Sequence, residues 1–273
     1  IEFWGGEPLV YWKTLKPLAE RLRSLYPDAR FSVITNGSLL DAGKNEWFDR
    51  MGFSVGLSHD GPGQSTRGPD PLNDPERFAA IMDLYARLHP QGRISINAMV
   101  HASNQSRAQI QAWLQQRFGQ DVNIGEGAFI DPYDEGGMAA VLRDPAEHML
   151  YRARAFTELR QGRVVNFSIA RQKIQGFIDS IRNQRPASSV GQKCGMDKTD
   201  NMAVDLHGNV VTCQNVSAAS TGLNGESHLI GKLNDLAGVK MKTSTHWSQR
   251  SECTNCPVLQ LCHGSCMFLH GPL

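Results

Sequence analysis

The chain has 273 residues, 40% of them apolar and 20% charged, which is typical of a soluble globular protein with one large or two smaller domains. Its formal net charge is +1 at pH 7, so no overall field attracts nucleic acid or an anionic membrane surface. No apolar run approaches the roughly 18 residues of a membrane-spanning helix, and no signal-peptide pattern opens the chain. We therefore predict a cytoplasmic protein without nucleic-acid or membrane partners.

The first 130 residues alternate short apolar runs with longer segments of helical periodicity. Strands that alternate with crossover helices form a parallel sheet, so we predict an α/β fold with a partial, open barrel over residues 1–144. The predicted strands are 1–4, 31–34, 54–57, 94–100 and 122–130, and the predicted helices are 11–26, 41–51, 75–89 and 104–118.

The pattern changes after residue 144. Apolar residues at helical spacing predict a helical connector over residues 145–190, which ends near Arg185 and Pro186. In the last part, residues 191–273, two short apolar runs flank His207, Gly208 and Asn209. Such a polar, glycine-containing break between apolar runs predicts a β-hairpin.

All six cysteines lie in this last part of the chain. Two-residue gaps let neighbouring thiolates reach one metal or cluster, and the lack of an export signal disfavours disulfides. We predict an iron–sulfur or metal framework rather than disulfides or incidental buried thiols. The cysteines are Cys194, Cys213, Cys253, Cys256, Cys262 and Cys266.

Polar, glycine-rich segments follow the first three predicted strands. The carboxyl ends of parallel strands meet at one edge of a sheet, and glycine lets the main chain approach a ligand closely. These segments therefore predict a ligand site at that edge. They read Trp4-Gly5-Gly6-Glu7-Pro8, Thr35-Asn36-Gly37 and Ser58-His59-Asp60-Gly61-Pro62.

Two polar residues in or next to these strands have more than one interpretation. His59 could transfer protons near a ligand, although a packed or hydrogen-bonded histidine is the simpler interpretation. Asn97 lies in an otherwise apolar strand. It either points into the mouth of the barrel or makes a structural hydrogen bond.

The three strand-end segments and the cysteine pattern resemble those of radical SAM enzymes with a C-terminal SPASM domain. The resemblance covers nearly the whole chain. It implies a partial (β/α)6 barrel that lacks its first strand over residues 1–144, and a small cysteine-rich SPASM domain with a β-hairpin over residues 191–273.

The resemblance also implies the chemistry. In that family a [4Fe-4S] cluster, reduced by flavodoxin or ferredoxin, cleaves S-adenosylmethionine to a 5'-deoxyadenosyl radical that abstracts a substrate hydrogen. The SPASM domain holds up to two auxiliary iron–sulfur clusters.

Carried over position by position, the resemblance assigns a cofactor site at the strand ends. Gly5, Gly6 and Glu7 are expected at the methionine moiety, Ser58 near the ribose, and Arg67 at the cofactor's carboxylate. The full set of expected cofactor-binding residues is Gly5, Gly6, Glu7, Pro8, Thr35, Asn36, Ser58, Asp60 and Arg67.

For the auxiliary clusters, the resemblance divides the cysteines into two sets of three. Cys194, Cys213 and Cys266 are expected to bind the cluster nearer the barrel. The outer cluster is assigned to Cys253, Cys256 and Cys262. Each set lacks a fourth cysteine, so we expect an open site or a non-cysteine ligand at the inner cluster.

The family's three-cysteine motif for the radical-generating cluster is missing, because no cysteine precedes Cys194. Either the chain is a fragment cut at both ends or it is a natural relative that lost the site. We favour the fragment, since Ile1 lies inside a predicted strand and no initiator methionine is present. The chain as given is expected to be inactive, whereas the full-length protein is expected to be an enzyme.

SPASM proteins similar to this chain mostly modify peptides or proteins, so maturation of a ribosomally made peptide is the leading hypothesis. A sulfatase-maturing enzyme is disfavoured because Gln214 stands where that group has its aspartate base. A radical dehydrogenase or mutase of a small molecule and a non-catalytic metal-binding module remain as alternatives. Zinc in place of iron is a further variant, since tetrahedral thiolates suit zinc.

Overall fold

The computed structural model describes residues 1–127, 140–142, 144–163, 167–185, 191, 198, 201–221, 225–240, 246–257, 259–264 and 266. By its contacts the chain divides into two units, one reaching to Arg171 and one continuing from Gln172. The boundaries expected from the sequence, after residues 144 and 190, remain predictions.

The first unit contains a five-stranded parallel sheet in the order β1-β2-β3-β4-β5, which confirms the predicted α/β class. Because the spatial order follows the chain order, right-handed crossovers place the connecting helices on one face of the sheet. The strands are β1 Glu2–Phe3, β2 Phe31–Thr35, β3 Phe53–Ser58, β4 Ile94–Met99 and β5 Ile124–Gly127. The helices are α1 Trp12–Leu25, α2 Ala42–Arg50, α3 Pro75–Leu88, α4 Arg107–Phe118 and α5 Pro145–Arg160.

Short polar side chains set where these helices begin. Asp41 accepts a hydrogen bond from the amide of Lys44, and Ser106 does the same for the amide of Gln109. Asp74 caps α3, whose first residue is a proline that needs no amide partner. Helix α4 ends at Phe118 and is followed by Gly119, whose φ of 69° is the left-handed conformation that glycine adopts most readily.

The main core lies between the sheet and its helices. Phe31, Phe53 and Trp47 are buried there, with ring centroids 5.4 Å apart for Phe31 and Phe53 and 5.2 Å for Trp47 and Phe53. Aromatic pairs at such separations add to the stabilisation from area burial alone. The core therefore fixes one face of the sheet against the helices.

The opposite face, which we call the inner face, carries smaller and more polar side chains. Strand burial alternates along β2 and β4, so alternate residues point away from the helices. The inner face comprises Ser32, Ile34, Ser54, Gly56, Ser58, Ser95, Asn97, Met99, Gly125 and Gly127.

The second unit contains an antiparallel sheet in the order β6-β7-β8. The predicted hairpin is confirmed at β6 and β7, where Gly208 adopts a φ of 72° and Asp205 accepts hydrogen bonds from the amides of His207 and Asn209. Strand β8 was not predicted. The elements are α6 Ser168–Arg182, which extends across the boundary, β6 Ala203–Val204, β7 Asn209–Val211, β8 Leu229–Lys232, α7 Ser251–Thr254 and α8 Leu259–Cys262. No helix among the described residues is long and apolar enough to cross a membrane.

Candidate functional site

Two exposed glycines follow β1, so the main chain there is not covered by side chains. Gly5 and Gly6 have φ angles of 98° and 45°, a region that other residues rarely adopt. Both are exposed, and a β-carbon built on either would have no atom within 4 Å. The two glycines therefore present accessible peptide groups at the carboxyl edge of the parallel sheet.

Glu7 joins this end of β1 to the end of β2. One carboxylate oxygen accepts hydrogen bonds from the Leu9 amide at 3.0 Å and the Thr35 hydroxyl at 2.8 Å. The other accepts from the Asn36 amide at 2.7 Å. With Pro8 buried beside it, Glu7 fixes the two strand ends relative to each other.

The end of β2 is a tight, fully bonded turn. The Thr35 hydroxyl accepts from the Gly37 amide at 3.1 Å, and the Asn36 side chain accepts from the Ser38 amide at 2.9 Å. Gly37 has a φ of 77°, and a β-carbon there would lie 2.7 Å from Leu57. Only glycine fits this position without displacement of its neighbours.

Asp60, at the end of β3, is 3% exposed and bonded entirely within the protein. Its carboxylate accepts from the Met99 amide at 2.8 Å and from Arg67 Nη2 and Nε at 2.6 and 3.2 Å. Its carbonyl accepts from Asn104 Nδ2 at 2.7 Å. Asp60 thus links the end of β3 to β4 and holds the Arg67 side chain in an ion pair. A cofactor contact of either residue remains a prediction.

His59 is held by three partners. Nδ1 accepts from the Gly61 amide at 3.0 Å, so Nε2 carries the proton that bonds to Asp70 at 2.9 Å. The ring stacks on Trp113 with centroids 5.1 Å apart. Burial lowers the pKa of His59, although Asp70 opposes the shift. The histidine therefore matches the structural interpretation, as a neutral ring that anchors the segment after β3.

Sequence reasoning missed a polar cluster after β4 and β5. Asn104, described above, follows β4 in a short segment that also contains His101 and Ser103, a polar signal like those after the first three strands. Arg107 forms a bidentate pair with Glu126 at 2.6 and 2.7 Å and donates to the Tyr151 hydroxyl at 2.7 Å. Burial opposes the charged form, yet the bonds to Glu126 raise the pKa of Arg107. This partnership joins residues far apart in sequence, so no local pattern revealed it.

Two polar side chains on the inner face make no hydrogen bond to the described residues. Ser58 and Asn97 are paired across β3 and β4, and among the described residues neither side chain has a hydrogen-bond partner. A β-carbon on Gly56 would lie 2.6 Å from Asn97 Nδ2, and one on Gly125 would lie 2.5 Å from its Oδ1. The amide therefore lies over two glycines, which agrees with the interpretation that Asn97 faces the inside of the barrel.

The described cysteines of the second unit are all free thiols, whereas Cys194 lies outside the described residues. Burial raises the pKa of Cys253, Arg250 opposes that shift, and Glu252, Cys262 and Cys256 add to it. Across the described part of the chain, no three His, Cys, Asp or Glu side chains converge on a position for a single metal ion. The predicted ligand sets therefore remain predictions.

Comparison with known proteins finds matches that cover nearly the whole chain. No family model matches the chain. The radical SAM cyclopropyl synthase TigE of Paramaledivibacter caminithermalis is 22% identical over 294 residues, which cover 98% of this chain and 54% of TigE. The chain thus spans about half the length of this curated relative.

Two solved structures cover 97% of the chain. Native anSMEcpe with bound AdoMet matches with a TM-score of 0.63 at 19% sequence identity, and the match covers 73% of the anSMEcpe chain. Native anSMEcpe with bound AdoMet and Kp18Cys peptide matches with a TM-score of 0.62 at 20% identity and covers 75%.

The chain has the radical SAM fold. In this fold the described strand ends bring together most of the residues expected at the cofactor. Gly5, Gly6 and Glu7 lie at the edge formed by β1 and β2, and Ser58 lies on the inner face of β3. The open main chain of the two glycines suits a ligand that binds through peptide groups.

Proposed function

We propose that the chain is the cofactor- and substrate-handling part of a radical SAM enzyme that modifies a peptide or protein. The observation that carries the proposal is the open main chain at Gly5 and Gly6, at the carboxyl edge of a fold shared with AdoMet-bound structures. That edge is where α/β barrels bind their ligands.

The residues of this edge have distinct roles in the proposal. Gly5 and Gly6 bind the methionine end of S-adenosylmethionine through main-chain groups. Glu7, Thr35 and Asn36 hold that main chain in place by the bonds described above. When bound, the cofactor and a reduced [4Fe-4S] cluster supply hydrogen-atom abstraction from the substrate. Residues 1–193 contain no cysteine, and the proposal assigns the six later cysteines to auxiliary clusters.

In the second unit we propose auxiliary iron–sulfur clusters on the two sets of three cysteines predicted from the sequence. Thiolates are the usual protein ligands of such clusters. Each thiolate of a cluster binds a different iron, so the ligands need not converge on one point as they do for a single ion. The donor set of Cys253, Cys256 and Cys262 consists of thiols only, which suits an iron–sulfur cluster.

A peptide substrate is supported by the anSMEcpe structure with a bound Kp18Cys peptide. The similarity to TigE, a cyclopropyl synthase, supports a reaction at a carbon atom of the substrate. Gln214, next to Cys213, distinguishes this chain from the sulfatase-maturing pattern expected at that position. Flavodoxin or ferredoxin is the proposed electron donor.

Binding of S-adenosylhomocysteine to the full-length, anaerobically reconstituted protein tests the cofactor site. Gly6→Val places a branched side chain in the open main-chain cradle, and we expect affinity to fall at least about tenfold, equivalent to about 1.4 kcal/mol. Gly92→Val is the matched control, because Gly92 also has a positive φ and open surroundings but precedes β4 at the other edge.

Calorimetry on the three proteins distinguishes the outcomes. Weak binding by Gly6→Val alone supports the site. Equal affinities for all three proteins, or no binding by the wild-type protein, contradicts it. Formation of 5'-deoxyadenosine after chemical reduction, measured by chromatography, then tests whether the bound cofactor is cleaved.

A further inference from the structure

A cleft at the amino edge of the parallel sheet is lined mainly by basic side chains. Its volume is about 430 Å³, which is within the range of small-molecule sites. It lies where β2, β3 and β4 begin, whereas the candidate cofactor site lies where the strands end. Asp28 is the one acidic residue that lines it, against four arginines: Arg23, Arg30, Arg50 and Arg93.

Arg23, in the last turn of α1, is fixed in the wall of the cleft. Its guanidinium donates to the carbonyls of Ala29 at 2.6 Å and Met51 at 3.0 Å. The guanidinium carbon lies 4.0 Å from the centre of the Phe31 ring, which is a cation–π contact. Arg23 forms no ion pair with any carboxylate in the described ranges, so its charge is balanced only by dipoles.

Arg93, directly before β4, is fixed in a similar way. It donates to the carbonyl of Phe53 at 2.8 Å and forms an ion pair with Asp49. Arg23 and Arg93 thus bind carbonyls on either side of Gly52. Because both guanidinium groups are ordered in advance, they lose little freedom when a ligand binds.

Arg30 and Arg50 supply the unpaired donors of the cleft. Neither side chain donates a hydrogen bond to the part of the chain that the structure describes. Arg50 has Glu46 at 3.9 Å, but both side chains are exposed and solvent screens such a pair. A helix dipole favours a cation at its C-terminus, which accounts for Arg23 and Arg50. Arg30 precedes a strand, so that reason does not apply to it.

We propose that this cleft binds a phosphate group, either of a small phosphorylated molecule or as free phosphate. The guanidinium fork matches phosphate oxygens with paired hydrogen bonds. Arg23, Arg30 and Arg50 have no close carboxylate partner and face one acid, Asp28. The excess of about two positive charges suits a phosphate monoester, whose charge is about −1.5 to −2.

The two pairs of arginines have different roles in this site. Arg23 and Arg93 form a rigid seat, and the exposed Arg30 and Arg50 close on the ligand. Phosphate binding here needs neither the cofactor nor the iron–sulfur clusters. Its failure would therefore leave the proposed function untouched.

Titration calorimetry with inorganic phosphate, at constant ionic strength, tests the site in the full-length, anaerobically reconstituted protein. Arg30→Gln and Arg50→Gln each remove a positive charge without breaking a side-chain bond to the main chain. Arg30→Lys keeps the charge but loses the fork. Arg21→Gln is the control, because Arg21 is an exposed residue of the same helix as Arg23 but lies outside the cleft.

We expect the dissociation constant to rise at least about threefold in each Gln variant and at least about tenfold in the double variant, because charge-assisted hydrogen bonds are lost. Arg30→Lys should fall between wild type and Arg30→Gln, and Arg21→Gln should match wild type. A second titration distinguishes the two sources of phosphate. Glycerol 3-phosphate that binds more tightly than inorganic phosphate assigns the cleft to a phosphorylated small molecule, and equal or weaker binding assigns it to free phosphate.

Three results would overturn the proposal. The first is a wild-type protein without saturable binding at millimolar phosphate. The second is an equal loss of affinity in Arg21→Gln, which would mean attraction by net charge alone. The third is wild-type affinity in the double variant of Arg30 and Arg50, which would place the bound phosphate elsewhere.

Discussion

Asn97 and its neighbouring glycines show how single residues shape the inner face of the sheet. The sequence left open whether this asparagine points into the barrel or makes a structural bond. The structure places its amide over Gly56 and Gly125 with no partner among the described residues. The glycines could not be interpreted from sequence, because their role depends on the register between strands whose paired residues are far apart in the chain. Gly56 is paired with Ser95, and Asn97 is paired with Gly125.

A double-mutant cycle tests this packing. A β-carbon at position 125 would lie 2.5 Å from Asn97 Oδ1, so Gly125→Ala is expected to destabilise the protein by about 1–3 kcal/mol through overpacking. In an Asn97→Ala background most of that cost should vanish, because the amide is gone.

Gly127→Ala is the control on the same strand and face, since its β-carbon would lie 3.4 Å from Met99. Urea unfolding of the wild type, the two single variants and the double variant measures the coupling free energy between Gly125 and Asn97. Additive effects of the Gly125 and Asn97 substitutions would contradict the contact.

His59 predicts a pH dependence of stability. Burial lowers its folded pKa, with Asp70 and Asp60 opposing and Arg67 reinforcing the shift. The unfolded chain, with an ordinary histidine pKa of about 6.5, therefore binds more protons than the folded one as the pH falls below that value. The contribution of His59 to the free energy of unfolding should be constant above that pH and decrease below it.

Thermal unfolding between pH 8 and pH 5 measures this dependence. His59→Gln should show a shallower decrease, with some remaining because burial also lowers the pKa of His101. A His59→Gln slope as steep as wild type would contradict the assignment.

At the scale of elements, the helices and strands of the first unit follow closely from sequence periodicity. Capping residues such as Asp74 and Ser106 mark helix starts locally. The third strand of the second sheet, Leu229–Lys232, was missed because it is short and follows an irregular segment. The contacts between α4 and α5 could not be predicted from the sequence either, because they depend on a buried acidic residue of α5 that lies far along the chain from α4.

That buried acid is Glu158, which is 6% exposed. Its carboxylate accepts from the Ser106 hydroxyl and, at 3.3 Å, from the Ala108 amide. It therefore lies at the N-terminus of α4, where negative charge is favourable. Glu158→Gln is expected to lower the free energy of unfolding by about 1.5–3 kcal/mol, the range for hydrogen bonds to charged groups.

Chemical denaturation measures this loss, with Glu147→Gln as the control. Glu147 lies in the first turn of the same helix and is exposed, so its replacement should have little effect. Equal, small effects of the two substitutions would show that Glu158 does not link the helices.

At the scale of the whole molecule, the sequence predicted the fold class because periodicity and strand-end composition are local signals. It predicted the strand ends as a cofactor edge through glycine-rich segments and a resemblance to radical SAM enzymes. It could not reveal that Glu7 and Asp60 are bonded within the protein. Those bonds form only when β1 meets β2 and β3 meets β4. Both carboxylates thus join neighbouring strand ends, and a contact of either residue with the cofactor remains a prediction.

The most direct measurement of the central claim is a crystal structure of the full-length protein with S-adenosylmethionine. The account predicts the methionine end of the cofactor against the main chain of Gly5 and Gly6, at the edge that Glu7 joins. Cofactor bound elsewhere in the protein, or no cofactor at saturating concentration, would contradict it.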